Sequence, residues 1–333
     1  MVIKKKIYIG IEFLRIFFSF NILLFHCINR SIYNKQLYNT NAKIVSIGLK
    51  IFFIIAFYFS YDLFSSKKIS LIKQRFQRLL VPYIIWPIII YIHKNNILDS
   101  FFYKKYYQLK ILCYQLLMGQ GIAIVFWFSY NLILISLLLT IIVFIIKNNI
   151  IFLIISSIPM YLIFTSNYYK NLFLNYKEIV AFSNKRLAST YIFGAIGFSL
   201  SYFKMFDKTN KKKTFVIICC STLLILLILY YEKIKKFYFL SYLFSISLIV
   251  LFNNLPFYKL INENIIKRIS MHTGGIYYIH IDINSLINKH VIFRYHLKKG
   301  TIIICVLNYL ICYILCFIGF RIFKKNKLKY LFI

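Results

Sequence analysis

The sequence predicts an all-α, polytopic membrane protein, and three observations lead to that prediction. Hydrophobic residues make up 61% of the 333 residues, and aromatic residues alone make up 20%. Charged residues are only 15% of the chain, whereas about a quarter of a typical soluble domain is charged. The apolar residues also occur in runs that can cross a bilayer core, which takes about 20 residues per helix. We therefore expect one transmembrane helical bundle over residues 1–333, with no separate soluble domain.

The apolar runs predict about ten membrane spans. They lie near 7–28, 43–63, 79–93, 124–146, 149–166, 187–203, 214–231, 237–253, 270–293 and 300–322. The third span is short and contains Pro82 and Pro87, so we expect a kink there. The longest connector is 94–123, and its second half is apolar enough to lie on the membrane or dip into it.

The net charge of +34 could indicate a nucleic-acid-binding protein, but the placement of the charges argues against that class. Lys and Arg occur in short connectors between the apolar runs, such as 211–213. Membrane proteins carry charge there for orientation and for contact with lipid headgroups. We therefore expect membrane lipid and no nucleic acid as a partner. The connectors on the side of the N-terminus are the more basic, which predicts cytoplasmic termini in a plasma membrane.

The first span contains ionisable residues, which are costly in a membrane interior and therefore mark candidate functional positions. They are Glu12, Arg15 and His26, with Ser19 between them. At about 100° per residue, Arg15 and His26 share one helical face and lie about 16 Å apart along the axis. All four residues form one polar stripe, which should face the bundle interior or a water-filled cleft. The alternative is that Glu12 and Arg15 merely neutralise each other, while His26 marks the membrane interface.

Two arginines, Arg75 and Arg78, directly precede the third span. Residues three positions apart at a helix end point in similar directions, and the planar guanidinium group is suited to phosphate. The pair could therefore hold the phosphates of a nucleotide-bearing cofactor beside a membrane cleft. The alternative is a positive anchor at the cytoplasmic membrane surface.

The ninth span also contains residues that are unusual within a membrane. Tyr277, His280 and Asn284 share a helical face, and Gly274-Gly275 permits a kink or a close backbone approach. His280 is a candidate catalytic residue, and a structural histidine with satisfied hydrogen bonds is the alternative.

Three further features favour structural interpretations. The aromatic run 126–132 is typical of a belt at the membrane surface. The small residues in 191–197 are typical of a helix-packing surface. The seven cysteines lack metal-ligand spacing, so we expect small apolar side chains and no metal site.

Four motifs along nearly the whole chain together resemble membrane-bound acyltransferase family three, which includes integral membrane glycan O-acetyltransferases. They are Leu14-Arg15 with Phe25-His26, Arg75 and Arg78 before Pro82-Tyr83, Trp127-Phe128-Ser129, and Ile276-Tyr277-Tyr278-Ile279-His280. The resemblance implies transfer of an acyl group from acyl-CoA to a hydroxyl of a carbohydrate or lipid-linked glycan. Acetyl is the expected acyl group, and succinyl or another short chain stays open.

The resemblance also implies roles for the polar residues. His26 would act as general base on the acceptor hydroxyl or would carry the acyl group transiently. Arg15 would orient the thioester, Glu12 would fix Arg15, and Arg75 with Arg78 would bind the donor's phosphates. A rival from another class is a transporter or exporter of lipid-linked sugar, in which the same polar residues line a permeation path.

Overall fold

The computed structural model describes residues 8–27, 35–94, 126–145, 190, 193–201, 238–255, 262–287 and 302–333. These ranges contain helices and no strand. The helices are α1 (Ile9–Cys27), α2 (Lys35–Ser65), α3 (Ile69–Lys94), α4 (Phe126–Ile145), α5 (Tyr238–Asn254), α6 (Glu263–Met271), α7 (Thr273–Ile287) and α8 (Ile302–Ile322). A short 3₁₀ helix, Lys327–Phe332, follows α8, and residues 193–201 are also helical.

Three of these helices are long and apolar enough to cross a membrane, namely Ile9–Cys27, Tyr38–Ser65 and Ile302–Ile322. The all-helical class predicted from the sequence is therefore confirmed for the described residues, and the chain is a membrane protein. The predicted spans 149–166 and 214–231 lie outside the described residues, as do 95–123 of the long connector. A bundle of ten spans stays a prediction.

Helix α3 differs from the predicted third span 79–93. It begins at Ile69 and continues through Pro82 and Pro87 to Lys94 as one helix. Its first ten residues include Lys, Gln and Arg, which are good helix formers but are too polar to be recognised by an apolar run. Arg75 and Arg78 therefore lie within a helix and one turn apart, with helix on both sides of them.

The predicted span 270–293 is interrupted near its start. His272 separates α6 from α7, and its backbone N–H caps α6 by donating to the carbonyl groups of Ile269 and Ser270. Helix α6 is amphipathic, with Ile266 and Ser270 buried and its charged residues exposed. An apolar run does not reveal such a break, because both sides of it are helical.

Helices α1 and α7 run parallel to each other. Arg15 on α1 contacts Thr273 on α7, and His26 contacts Asn284, and in both pairs the two residues are 258 positions apart. A constant separation along two contacting helices requires the same direction and the same rise per residue. The bundle thus has an Arg15 end, which contains Thr273, and a His26 end, which contains Asn284.

The neighbours of this pair run in the opposite direction. On α2, Tyr38 packs on Phe25 of α1 and Tyr58 packs on Tyr8. On α8, Ile304 packs with Ile287 at the end of α7. Alternating spans require these directions. Helices α1 and α7 correspond to the first and ninth predicted spans, and α2 and α8 correspond to the second and tenth.

The aromatic run at the start of α4 packs into the bundle. The ring of Phe128 lies 4.4 Å from that of Phe53 and 5.3 Å from that of Tyr277, and Ser129 is buried. Because these residues contact α2 and α7, the run is a helix-packing surface, and its position at a membrane surface stays a prediction. The packing surface predicted at 191–197 is confirmed for residues 193–197, since Gly197 lies against the backbone of Ile54 and Tyr58.

Candidate active site

The polar stripe of α1 begins with an ion pair at the Arg15 end. Arg15 Nη1 donates to Glu12 Oε2 at 2.9 Å, and Arg15 Nη2 donates to Thr273 Oγ1 at 3.3 Å. Thr273 in turn donates to the carbonyl oxygen of Ser270 at 2.8 Å. The two nitrogen atoms of one guanidinium group thus join α1 to the start of α7. Both sequence interpretations of Glu12 remain compatible with this geometry, since the ion pair neutralises Arg15 and also holds it.

The middle of the stripe is occupied by Ser19, which is buried. Its hydroxyl donates to the carbonyl oxygen of Ile16 at 2.9 Å and lies 3.0 Å from the hydroxyl of Tyr309 on α8. Because Ser19 has a single hydroxyl proton, its oxygen accepts from Tyr309. One turn of α1 beyond Arg15, the stripe therefore has a phenol as its neighbour.

At the His26 end, two histidines face each other. The ring centroids of His26 and His280 are 5.1 Å apart. His280 is buried, and its Nδ1 lies 2.8 Å from the carbonyl oxygen of Tyr277 and 3.3 Å from that of Ile276. Since a carbonyl only accepts, Nδ1 carries the proton, and Nε2 is left as an acceptor.

The Nε2 atom of His280 is buried and has no hydrogen-bond partner within the described ranges of the chain. A buried acceptor without a partner is unfavourable by about 1–3 kcal/mol, so its presence beside another histidine points to a substrate group that supplies the missing donor. Asn284 supports the same region, because its Nδ2 donates to the backbone oxygen of His26 at 3.3 Å. The structure thus brings together His26 and His280, which lie at opposite ends of the sequence.

The two arginines of α3 have different surroundings, although they were expected to point in similar directions. Arg75 is partly buried: its Nε donates to Ser136 on α4 at 3.3 Å, and its guanidinium carbon lies 5.5 Å from the ring centroid of Phe57. Its Nη2 is buried and has no partner in the part of the chain that the structure describes. Arg78 is exposed, and its guanidinium carbon lies 5.8 Å from the ring centroid of Tyr330. Arg75 thus points inward and Arg78 faces outward at the Arg15 end.

The remaining sequence motifs meet in the same bundle. Ser129 of the Trp-Phe-Ser motif forms a hydrogen bond with the hydroxyl of Tyr278, which belongs to the motif that contains His280. Tyr83 of the Pro-Tyr motif lies 6.1 Å, between ring centroids, from Tyr130. Contacts between α3, α4 and α7 therefore connect three motifs that are far apart in the sequence, and α7 joins them to α1.

A comparison with known families matches residues 8–321 to an acyltransferase domain, that of acyltransferase family 3. The chain belongs to this family. The match covers more than half of the chain and confirms the family suggested by the four motifs. No curated protein and no solved structure matches the chain significantly.

Membership in acyltransferase family 3 makes the chain a membrane acyltransferase. It does not decide which side chains of this family member act on the substrate. Thr273 and Tyr309 are the polar contacts of the stripe that sequence reasoning missed. Thr273 has no distinguishing spacing, and Tyr309 is one of 29 tyrosines, so only their contacts with Arg15 and Ser19 single them out.

Proposed function

We propose that this acyltransferase moves an acetyl group from acetyl-CoA to a hydroxyl of a carbohydrate or lipid-linked glycan. The observation that supports the proposal is the Nε2 atom of His280, which is buried beside His26 at one end of a polar stripe and has no partner among the described residues. Such a pair can receive a hydroxyl proton. Arg15 lies at the other end of the stripe, and its guanidinium group can bind a polar group of the donor.

The donor in this proposal enters from the Arg15 end, which would face the cytoplasm, where acyl-CoA is present. Arg78 is exposed at that end, and Arg75 has a buried guanidinium nitrogen that no described residue contacts through a hydrogen bond. Guanidinium groups bind phosphate through charge-assisted hydrogen bonds. The two residues therefore suit a phosphate-bearing donor whose acyl arm extends along α1 toward His26.

The chemistry follows from a general base beside the acceptor. His26 takes the proton of the acceptor hydroxyl as its oxygen attacks the thioester carbonyl carbon. The C–S bond then breaks, and the proton held by His26 passes to the leaving thiolate, which gives the acetyl ester and free coenzyme A. The Nε2 of His280 accepts a hydrogen bond from a neighbouring hydroxyl of the acceptor and so orients the acceptor beside His26. Transient acylation of His26 is the alternative route, since imidazole is also a nucleophile.

The test measures thiol release from acetyl-CoA by the purified protein in lipid nanodiscs, with and without a sugar acceptor. The matched variants are His26→Ala and His296→Ala, since His296 lies in a connector of the sequence and outside the described residues. We expect acceptor-dependent release to fall at least about 100-fold in His26→Ala, in line with loss of a general base, and to persist in His296→Ala.

Acetyl content of the surface glycan in cells that produce each variant gives a second readout. Unchanged acetylation by a normally produced His26→Ala protein would contradict the role of His26. A wild-type protein that releases no thiol but moves a lipid-linked sugar across vesicles would instead favour the transporter.

A further inference from the structure

Asn41 on α2 carries a buried amide group whose hydrogen-bonding capacity is unused within the described residues. The residue is 6% exposed, and its Nδ2 and its Oδ1 are both buried without a partner there. Asn254 on α5 shows the usual arrangement, since its Nδ2 donates to the carbonyl oxygen of Val250 at 2.8 Å. Because the large majority of buried side-chain polar atoms have a partner, the amide of Asn41 requires an explanation.

Two contacts fix the register of α2 on α1. The ring centroids of Tyr8 and Tyr58 are 6.0 Å apart, and a Cβ atom on Gly48 would lie 3.0 Å from the Cβ atom of Phe18. Tyr8 and Phe18 are ten positions apart on α1, and Gly48 and Tyr58 are ten positions apart on α2. Since equal steps in opposite directions separate the two contacts, positions along the two antiparallel helices correspond one to one over this stretch.

This register places Asn41 at the His26 end of the bundle. Asn41 lies seven residues before Gly48, which is about two helical turns, so both residues are on the face of α2 that packs on α1. Seven residues beyond Phe18, the corresponding position on α1 is Phe25, which directly precedes His26. Because the axes of packed helices are about 8–10 Å apart, Asn41 and His26 lie at the same depth on neighbouring helices.

Buried atoms without a partner therefore collect at the His26 end. In the ranges that the structure describes, three such atoms belong to two residues there, namely Nδ2 and Oδ1 of Asn41 and Nε2 of His280. They are one donor and two acceptors, since the proton of His280 is on Nδ1. A hydroxyl group both donates and accepts a hydrogen bond, so several hydroxyls of one sugar ring can satisfy all three atoms. A fatty chain offers neither donor nor acceptor.

We propose that Asn41 binds two adjacent hydroxyl groups of the acceptor and so selects a sugar that carries such a pair. Oδ1 of Asn41 accepts from one hydroxyl, and Nδ2 donates to the oxygen of its neighbour. His26 takes the proton of a further hydroxyl, whose oxygen receives the acetyl group while coenzyme A leaves as the thiol. This inference rests on the proposed function and extends it from the chemistry of transfer to the recognition of the acceptor.

The experiment measures thiol release from acetyl-CoA by the full chain in nanodiscs, with two acceptors that share a hexyl tail. Hexyl glucoside carries adjacent hydroxyls, whereas 2-hexyloxyethanol carries a single hydroxyl. The variant Asn41→Leu replaces the amide by an apolar group of the same branched shape. Asn254→Leu is the matched control, because the Nδ2 of Asn254 already has a partner on its own helix. The melting temperature of each protein is measured in the same nanodiscs.

We expect wild-type kcat/KM to be about tenfold higher for hexyl glucoside than for 2-hexyloxyethanol, as for two additional hydrogen bonds between neutral groups. Asn41→Leu should lower kcat/KM for hexyl glucoside by the same factor, mainly through KM, and should leave 2-hexyloxyethanol and the KM of acetyl-CoA unchanged. Its melting temperature should not fall, because the amide has no hydrogen bond to lose within the described residues. Asn254→Leu should keep the wild-type ratio between the two acceptors.

Several outcomes would overturn the inference. An Asn41→Leu protein that keeps the wild-type ratio between the acceptors would show that the amide does not bind the sugar. Equal losses for both acceptors together with a lower melting temperature would assign the amide to packing of the bundle. If wild-type protein acetylates neither acceptor, the proposed function fails as well. If it acetylates both with the same kcat/KM, transfer is supported and this inference alone fails.

Discussion

The rings of His280 and His26 lie next to each other: their centroids are 5.1 Å apart, and Nδ1 of His280 donates its proton to the backbone oxygen of Tyr277. The hydrogen bond from Nδ1 to Tyr277 fixes the tautomer of His280, as commonly happens for functional histidines. Nε2 can therefore only accept, and it has no partner among the residues that the structure describes. The two nitrogen atoms of this imidazole are therefore separated in role: Nδ1 holds the ring in place, and Nε2 is left as an acceptor.

That separation makes His280→Asn a decisive variant. The amide nitrogen of Asn can replace Nδ1 as the donor to Tyr277, but Asn has no atom at the position of Nε2. If Nε2 binds a hydroxyl of the acceptor, we expect normal membrane insertion and a loss of acceptor-dependent thiol release of at least about tenfold. Full activity in His280→Asn would mean that His280 serves only the backbone of α7, which is the structural alternative.

Arg15 uses two different nitrogen atoms for two partners on two helices, Glu12 and Thr273. A lysine ammonium group is a point charge and lacks the planar pair of donors. We therefore expect Arg15→Lys to keep the positive charge but to lose turnover about 10- to 100-fold, since a hydrogen bond to a charged group contributes about 1.5–3 kcal/mol. Steady-state kinetics with acetyl-CoA provide the measurement. Turnover equal to that of wild type would leave Arg15 as a charge neutraliser for Glu12.

Thr273 is predicted to position Arg15, and its hydroxyl can be tested separately from its shape. Thr273→Val removes the hydroxyl at nearly constant volume, and Thr273→Ser keeps it. We expect Val to reduce kcat about three- to tenfold, in proportion to one hydrogen bond, and Ser to restore it. A merely structural role would lower the thermal stability of Thr273→Val without separating kcat of the two variants.

The sequence predicts the local part of this site well. Glu12, Arg15, Ser19 and His26 lie on one helix, so their common face follows from helical geometry alone. The ion pair between Glu12 and Arg15 is a contact between residues three positions apart, which is the spacing at which helical side chains meet. Such features depend on one element and need no tertiary information.

The contacts between elements could not be derived in the same way. Thr273 meets Arg15 across 258 positions, and Tyr309 meets Ser19 across 290, and no periodicity specifies such pairs. The break at His272 and the early start of α3 at Ile69 were missed for another reason. An apolar run detects the part of a helix that is surrounded by lipid, and it detects neither polar helical turns nor a junction between two helices.

Two glycines on the helical segment 193–201 offer a matched test of the packing that supports the bundle. A Cβ atom on Gly197 would collide with the carbonyl oxygen of Ile54 and lie 3.0 Å from the amide nitrogen of Tyr58. On Gly194 it would meet only side-chain atoms, those of Ile135 and Phe57, at 3.3 Å. Side chains can shift by a few tenths of an ångström, whereas the backbone of α2 can move only together with its neighbours.

We therefore expect Gly197→Ala to destabilise the protein by about 1–3 kcal/mol, the usual effect of overpacking. Gly194→Ala should be neutral or slightly stabilising, because alanine is favoured over glycine within a helix by about 1 kcal/mol. Thermal unfolding of both variants in the same detergent, followed by size-exclusion chromatography of the heated samples, measures the difference. Equal melting temperatures would contradict the close backbone approach between this segment and α2. A lower melting temperature for Gly197→Ala alone would support it, because both variants add the same methyl group to the same helix.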